Sequence, residues 1–482
     1  MRSLSVAIGD LQPEEVWRWS QPLLFGALAL GVAVILFGAW QSTIILLVLG
    51  ALLIGGLVFA VLSKHEVGLL CAILVAFVLK VGYDEGFQLE EVLFGAVYLS
   101  YLGYWFISRL FFYRDNILSS KLDWALFLFL IYATLSLGLT PILGGDTISA
   151  ISQWVSVSIL AFYFPVKEAC IRRPALALHR PVLLSAGFVA VYVAMRNFLA
   201  YKRGIADAEY LWQIATGRVV MNEHILMMAG LVALVYLLYS RKKWHVVSLG
   251  ILVTTFSAAV IIGLSRAVWV SYALGIAVIF LLVERDKKRQ LILFGAASLA
   301  AVLLAGSLMF ENFFTLIVAG LADRLLSLRS AASQDLSLIN RFIEMDAAWQ
   351  YIKQNPIVGH GFGVPIKYYS LVFEATRIDS FIHNGYIGVW YRHGLVGALL
   401  LFGFYFGCLW TAVRTVRFPA VGRRERVMAT AACACLAAEA LVGNSQNPFA
   451  TSDNTFIVGI MTAFGAAAWH TTRRGIRHVE NE

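Results

Sequence analysis

The sequence predicts an all-α protein that crosses a membrane many times. Apolar runs of about twenty residues recur from one end of the chain to the other, the length that a helix needs to span the hydrocarbon core of a bilayer. Hydrophobic residues make up 60% of the 482 residues and charged residues only 14%. A soluble protein of this length could not bury so much apolar surface, so the composition excludes a soluble enzyme.

The apolar runs divide into about fourteen predicted spans. Their limits are 22–40, 43–62, 67–83, 90–107, 121–139, 148–164, 182–200, 219–239, 245–263, 266–283, 290–309, 385–413, 427–443 and 454–471. The chain is then organised as a cytoplasmic N-terminal segment, eleven spans, a large periplasmic loop, three spans and a cytoplasmic tail: 1–21, 22–309, 310–384, 385–472 and 473–482.

Lys and Arg residues set the orientation of these spans. Six connections on one side carry 22 of the 38 Lys and Arg residues: 108–121, 166–180, 240–245, 284–290, 414–427 and 470–478. The positive-inside rule places both termini in the cytoplasm. The net charge of +9 therefore indicates orientation and attraction to anionic lipid, and no nucleic-acid partner is expected.

The loop at 310–384 is far longer than usual connections, which indicates a function. Apolar residues recur there every three or four positions from Leu338 to Ile352, predicting an amphipathic helix that Asn355 and Pro356 end. A second helix, lying at the membrane interface, is predicted before it.

No cofactor is expected, because no Cys/His spacing indicates a metal site. The five cysteines are predicted to be small packing residues, four inside spans and Cys170 in a cytoplasmic loop.

Two arginines are candidate anion ligands. Arg266 lies in a short turn at the outer surface, where an arginine either anchors the helix at the headgroups or binds an anion. Arg341 lies in the amphipathic helix, where Glu344 at i+3 could pair with it instead. The stretch Gly359–Gly363 lies between Arg341 and the next span. It contains His360 and could expose amide donors, although it has no P-loop lysine.

His383 and Asn384 close the long loop where the chain re-enters the membrane. If this segment is helical, Asp379 lies one turn earlier and its carboxylate could orient the His383 imidazole. An imidazole is the natural general base near neutral pH, although a histidine at a helix start can also be purely structural. Arg392 and His393 follow deeper in the span and indicate packing or acceptor contacts.

A further polar group is predicted at the same level. Asn222, Glu223 and His224 begin another span, and a carboxylate entering a membrane is costly unless it faces an aqueous cavity. Four separate segments thus bring polar groups to the outer interface. We interpret them as a basic cavity suited to an anionic amphiphile.

Three ordered motifs flank or lie in the long loop: GLSRAVWVSYALG, NRFIEMDAAWQYIKQNPIVGHGFG and HNGYIGVWYRHGLVGALL. Together they resemble the bacterial O-antigen ligase and Wzy-type polysaccharide polymerase superfamily over roughly residues 215–410. The resemblance implies a GT-C-like membrane glycosyltransferase at the periplasmic face of the inner membrane. It implies an inverting transfer from undecaprenyl pyrophosphate to an acceptor hydroxyl, without a metal or nucleotide sugar.

By this resemblance, Arg266 and Arg341 match the two arginines thought to hold the pyrophosphate, and His383 matches the proposed catalytic histidine with Asn384 beside it. His360, Asp379, Glu223 and His224 are supporting or acceptor-binding candidates, the last two only a partial match. Arg392 and His393 depart from the family, which often has an acidic residue before this glycine.

A polymerase of O-antigen or exopolysaccharide is favoured slightly, because about fourteen spans exceed the twelve usual for the ligases. The alternatives are a ligase that transfers a finished chain to lipid A–core and, from a different class, a lipid-linked oligosaccharide flippase. Expected partners are the lipid-linked donor, an acceptor glycan or glycolipid, membrane lipids and a chain-length regulator.

Overall fold

The structure, a computed structural model, describes residues 117–172, 222–263, 265–309 and 336–480, with isolated residues at 98–109 and 190–197. The chain divides into two compact units. One contains residues 1–123 and 173–189, and the other contains residues 124–172 and 190–482. Helix α1 begins in the first unit, and all the other helices and strands described belong to the second.

Nearly all of the described chain is helical before the long loop. The helices are α1 Lys121–Ser136, α2 Leu139–Ile142, α3 Thr147–Ser158, α4 Tyr163–Arg172, α5 Glu223–Tyr239, α6 Lys243–Ile262, α7 Arg266–Leu282 and α8 Arg285–Met309. A 3₁₀ turn, Ile159–Phe162, joins α3 to α4. Asp146 begins α3 by accepting a hydrogen bond from Ser149 N at 2.7 Å, which satisfies one of the free amides of the first turn.

The long loop contains helix α9, Leu336–Ile352, and a hairpin of strands β1, Ile366–Ser370, and β2, Ala375–Asp379. The two strands are antiparallel, with Ile366 opposite Asp379 and Ser370 opposite Ala375. The predicted amphipathic helix is confirmed, but its packed face agrees only in part. Ile352 of the predicted apolar stripe is buried beside Ala348, whereas Phe342 of the same stripe is 53% exposed.

Three long helices complete the described chain: α10 Gly385–Arg417, α11 Arg423–Val442 and α12 Ser452–Glu480. The hairpin, α9 and the start of α10 share one core, built from Ala348, Ile352, Ile366, Tyr368, Ile382 and Tyr391. Trp390 links α10 to α9 and to the segment after it. Its indole N–H donates to Pro356 O at 2.9 Å, and its ring packs edge-on against Trp349. This core fixes the end of the loop against α10.

Helix α10 contains a break at Gly394, whose φ of 58° lies in the left-handed region. The loop after α9 docks there, because Leu395 N donates to Pro356 O and Val396 N donates to Ile357 O. A Cβ at Gly394 would overlap the Ile357 carbonyl, and one at Gly359 would overlap the backbone at Gly394. Glycine is required at both positions by the close approach and by the positive φ.

The predicted spans from 121–139 and 148–164, and from 219–239 onward, coincide with helices in the described chain. Those at 22–40, 43–62 and 67–83 lie outside the described residues, as do Cys71 and the helix predicted before α9. Those at 90–107 and 182–200 lie outside for most of their length. Within the described part, four helices are long and apolar enough to cross a membrane: Lys121–Ile142, Thr147–Ile171, Lys243–Ile261 and Gly385–Arg417.

Two expectations are corrected. The fold is mostly helical but the prediction of a purely helical loop is wrong, because the alternating residues of Ile366–Ser370 pair with Ala375–Asp379 as strands. Cys170 lies in helix α4 and is buried, whereas it was expected in a loop. The helix continues past the predicted span through Lys167 and Glu168 to Arg172.

Candidate functional site

A buried carboxylate holds His383. Glu344 of α9 is fully buried, and its Oε2 lies 2.8 Å from His383 Nδ1. Its Oε1 accepts the backbone N–H of His383 at 2.6 Å. The His383 side chain is 33% exposed. The carboxylate therefore fixes both the backbone and the ring of His383, while about a third of the side chain stays accessible.

This geometry favours one tautomer of the neutral imidazole. A carboxylate at Nδ1 favours the tautomer with hydrogen on Nδ1, which leaves the Nε2 lone pair to accept a proton. Burying a carboxylate is costly unless it is hydrogen-bonded, and Glu344 receives the two bonds from His383 and a longer one, 3.4 Å, from Tyr368 OH. Burial, with the Glu344 and Asp379 carboxylates nearby, raises the Tyr368 pKa to about 12, so this hydroxyl stays a donor.

The hypothesis that Asp379 orients His383 is wrong. Asp379 ends strand β2, so the helical spacing that the hypothesis required does not occur. Its Oδ1 accepts the N–H of Phe381 at 2.8 Å and shapes the turn into the site. Glu344, which by helical spacing could have paired with Arg341, contacts His383 with both of its oxygens.

Asn384 begins helix α10, since its Oδ1 accepts the N–H of Ile387 at 2.9 Å. Its Nδ2 donates to Asn444 O in the connection between α11 and α12. Gly385 N donates to Gly443 O, and Asn447 Nδ2 donates to Ile382 O at 2.8 Å. This connection, residues 443–448, therefore holds the chain on both sides of His383. We call it the α11–α12 loop.

The two candidate arginines lie at different elements. Arg266 is the first residue of α7, where backbone amides and the helix dipole favour an anion. Arg341 is in α9, one turn before Glu344, so it lies on the helix that carries the carboxylate. Both are partly exposed.

His224 forms a second histidine–carboxylate pair. Its Nδ1 lies 2.7 Å from Glu439 Oε1 of α11, and its Nε2 lies 2.5 Å from Gln446 Oε1. Glu439 is fully buried and the His224 side chain is 6% exposed. Glu223 beside it packs against Gly263 and hydrogen-bonds to Ser265. These residues are thus grouped at the turn before Arg266.

The glycine-rich stretch does not offer its amides to a phosphate. His360 N and Gly361 N donate to Tyr391 O and Arg392 O, both at 2.9 Å, and Gly363 N donates to Gln153. The His360 ring is buried and stacks on Tyr391 with centroids 4.9 Å apart. Burial lowers the pKa of His360, which keeps its imidazole neutral. The stretch is a structural strap over α10.

Arg392 and His393 are both buried. Arg392 donates to Ser380 O at 3.1 Å, which ties α10 to the turn before His383. His393 lies between the rings of Phe129 and Phe362. Their surroundings favour packing over contact with an acceptor.

Glu344 and His383, which we call the dyad, lie together with both arginines and the break at Gly394 in one region that matches a known family. Residues 251–402 match the family model of O-antigen ligases. The predicted resemblance to the O-antigen ligase and Wzy-type superfamily is thereby confirmed. Among curated proteins, no relative matches the chain.

The O-antigen ligase match includes His383, Glu344, Arg266 and Arg341, but Glu223, His224 and the α11–α12 loop lie outside it. Sequence reasoning missed the roles of Glu344, Glu439 and Gln446. One signal was present for Glu344: it stands on the helix face of Ala348 and Ile352, where a charge among buried apolar residues indicates a partner.

Proposed function

We propose that this protein is a membrane glycosyltransferase that moves a glycan from undecaprenyl pyrophosphate to an acceptor sugar hydroxyl. The observation that carries the proposal is the Glu344–His383 dyad, with the His383 side chain 33% exposed, inside the region matched by O-antigen ligases. The apolar helices support an integral membrane protein.

In the proposed reaction, His383 Nε2 takes the proton of the acceptor hydroxyl as its oxygen attacks the anomeric carbon of the donor sugar. A new C–O bond forms, and the bond from that carbon to the pyrophosphate oxygen breaks. Undecaprenyl pyrophosphate leaves with the electron pair. Glu344 stabilises the imidazolium that forms, as a carboxylate does in other histidine dyads. A single displacement inverts the anomeric centre.

The leaving group would be bound by Arg266 and Arg341. A guanidinium can bind a pyrophosphate with two parallel hydrogen bonds and stabilise the charge that develops on it. Two features support this assignment. Arg266 stands at a helix N-terminus, and Arg341 lies one turn from the residue that holds the base.

The acceptor decides between two versions of this function. We favour a polymerase, which joins lipid-linked repeats to one another, because of the number of predicted spans. The alternative is a ligase that uses lipid A–core, which the description of the matched family favours. A flippase is disfavoured because the candidate site residues Arg266, Arg341 and His383 were each predicted at the outer interface, and a one-sided site fits an enzyme better than a transporter.

The test uses the purified full-length protein with the lipid-linked repeat unit isolated from its host. Glycan ladders formed from the donor alone would indicate a polymerase, and transfer to added lipid A–core would indicate a ligase. Transfer is expected to persist in EDTA. If no glycosidic bond forms with either acceptor and a fluorescent donor is translocated in proteoliposomes, the flippase replaces the proposal.

The same assay tests the anion site. Arg266→Lys and Arg341→Lys should each lower transfer at least about tenfold, because an ammonium does not replace a planar fork. Full product formation by both variants would return the two residues to membrane anchoring and ion pairing.

A further inference from the structure

The α11–α12 loop contacts two segments that are far apart in the chain. Through Gly443, Asn444 and Asn447 it holds the backbone and the cap on either side of His383. Through Gln446 it reaches the turn before Arg266. The Gln446 Nε2 donates to Ser265 Oγ at 3.3 Å. The loop is thus in contact with the neighbours of both the proposed base and a proposed pyrophosphate ligand.

Ser265 occupies the cap position of α7, but its hydroxyl makes no capping hydrogen bond. It is turned instead toward Gln446 and Glu223. A serine at this position usually stabilises its own helix. Here the hydroxyl fixes the turn before Arg266 to other elements, which favours positioning over helix stability as its role.

Gln446 is itself held from behind by His224. The His224 imidazole contacts Gln446 on one nitrogen and Glu439 on the other, at 2.5 and 2.7 Å. Both nitrogens face oxygen atoms, an arrangement that an imidazolium paired with the Glu439 carboxylate satisfies in full. With both nitrogens engaged and the ring buried, His224 is poorly placed to exchange a proton with a substrate. A buried histidine–carboxylate pair of this kind is better suited to fix geometry than to add stability.

We propose that Glu439, His224 and Gln446 are positioning residues that hold the Arg266 turn against the segment carrying His383. The roles of Arg266 and His383 in this statement rest on the proposed function. The network itself is carried by its own contacts. It also lies outside the region matched by O-antigen ligases, apart from the Ser265 turn that it supports.

The first experiment reads the turn directly and needs no catalysis. In the full-length protein with Cys71 replaced by serine, Arg266→Cys is labelled with a membrane-impermeant maleimide, and the four remaining native cysteines, Cys170, Cys408, Cys433 and Cys435, are buried. Adding Gln446→Met, which keeps the side-chain length, removes both amide hydrogen bonds. Labelling should become roughly tenfold faster as the turn opens more often.

Ser265→Ala gives a second variant if Gln446→Met folds poorly, and it should also speed labelling. The matched control is Gln290→Met, because the Gln290 amide oxygen accepts only an exposed lysine bond, from Lys287. That control should label at the parent rate within about twofold. Unchanged labelling in both test variants overturns the proposal, whatever the enzyme does.

The second experiment separates positioning from general destabilisation. With Arg266 restored, Gln446→Met should raise the donor KM roughly tenfold and change the rate at saturating donor less than about threefold. A merely structural role would lower the amount of folded enzyme, which reduces the rate and leaves KM unchanged. That second pattern contradicts the proposal. Faster labelling in a protein without transferase activity would leave the network standing and remove the proposed function.

Discussion

The two histidine–carboxylate pairs of this protein have the same chemistry and different surroundings. In both, a fully buried glutamate lies within 2.8 Å of a histidine Nδ1. The His383 side chain is 33% exposed, whereas the His224 side chain is 6% exposed and its second nitrogen is bound by Gln446. A carboxylate partner alone therefore does not identify a histidine as a general base. The second nitrogen decides whether the ring can accept a proton from a substrate.

The largest effect should come from the accessible pair. His383→Gln keeps a hydrogen-bonding side chain but cannot take a proton, so we expect transfer to fall by roughly 10²–10⁴-fold with donor binding retained. The measurement is glycan transfer beside donor binding in the purified protein. His245→Gln, at an exposed histidine of α6, is the control and should be unaffected. Near-parent turnover in His383→Gln would reduce this histidine to a positioning role and direct attention to Glu223.

The buried pair should answer in stability. Glu439→Leu leaves the His224 imidazole buried without its carboxylate partner. We expect a loss of about 3–5 kcal/mol in the free energy of unfolding. Replacing both residues with leucine should recover most of that loss. Thermal unfolding in detergent measures the difference. Glu284→Leu, which breaks a partly exposed pair with Arg426, should cost less than about 1 kcal/mol. Equal losses in the single and double variants would contradict the coupled pair.

Next comes the partner of His383. Glu344→Gln keeps the shape but weakens the preference for hydrogen on Nδ1, so transfer should fall by roughly 10²-fold. The fall should appear in the rate at saturating donor, because Glu344 is buried and does not reach the donor. A rise in donor KM alone would mean that Glu344 acts through Arg341 instead.

The smallest effect should be at Asp379. Asp379→Asn retains an oxygen that can accept the Phe381 N–H, so transfer should change by less than about threefold. The assay is the same as for Glu344→Gln, which serves as its positive control. A hundredfold loss would reinstate Asp379 as the group that orients His383.

Local patterns in the sequence predicted the helices well, because hydrophobic runs and the Asn355–Pro356 stop act within one element. Motif resemblance also nominated His383, Arg266 and Arg341, whose roles stay predictions. Local patterns failed where partners are distant in the chain. Glu344 and His383 are 39 residues apart, and His224 and Glu439 are 215 apart. Helical spacing suggested nearer partners, Asp379 and Arg341, and only the tertiary packing shows which carboxylate reaches which ring.

The break at Gly394 bears on where His383 would release the proton that it takes from the acceptor in the proposed reaction. Helix α10 has 33 residues, about 50 Å at 1.5 Å per residue, and so exceeds a hydrocarbon layer of about 30 Å. The part after the break is long enough to cross that layer, and its exposed apolar side chains begin at Leu395 and continue to Trp410. If the part after the break crosses that layer, the ten residues before it cover about 15 Å, and His383, just ahead of them, stands in the hydrated headgroup zone. Under the proposed function, a base at that height would return its proton to bulk water after each transfer, without a relay of side chains through the membrane.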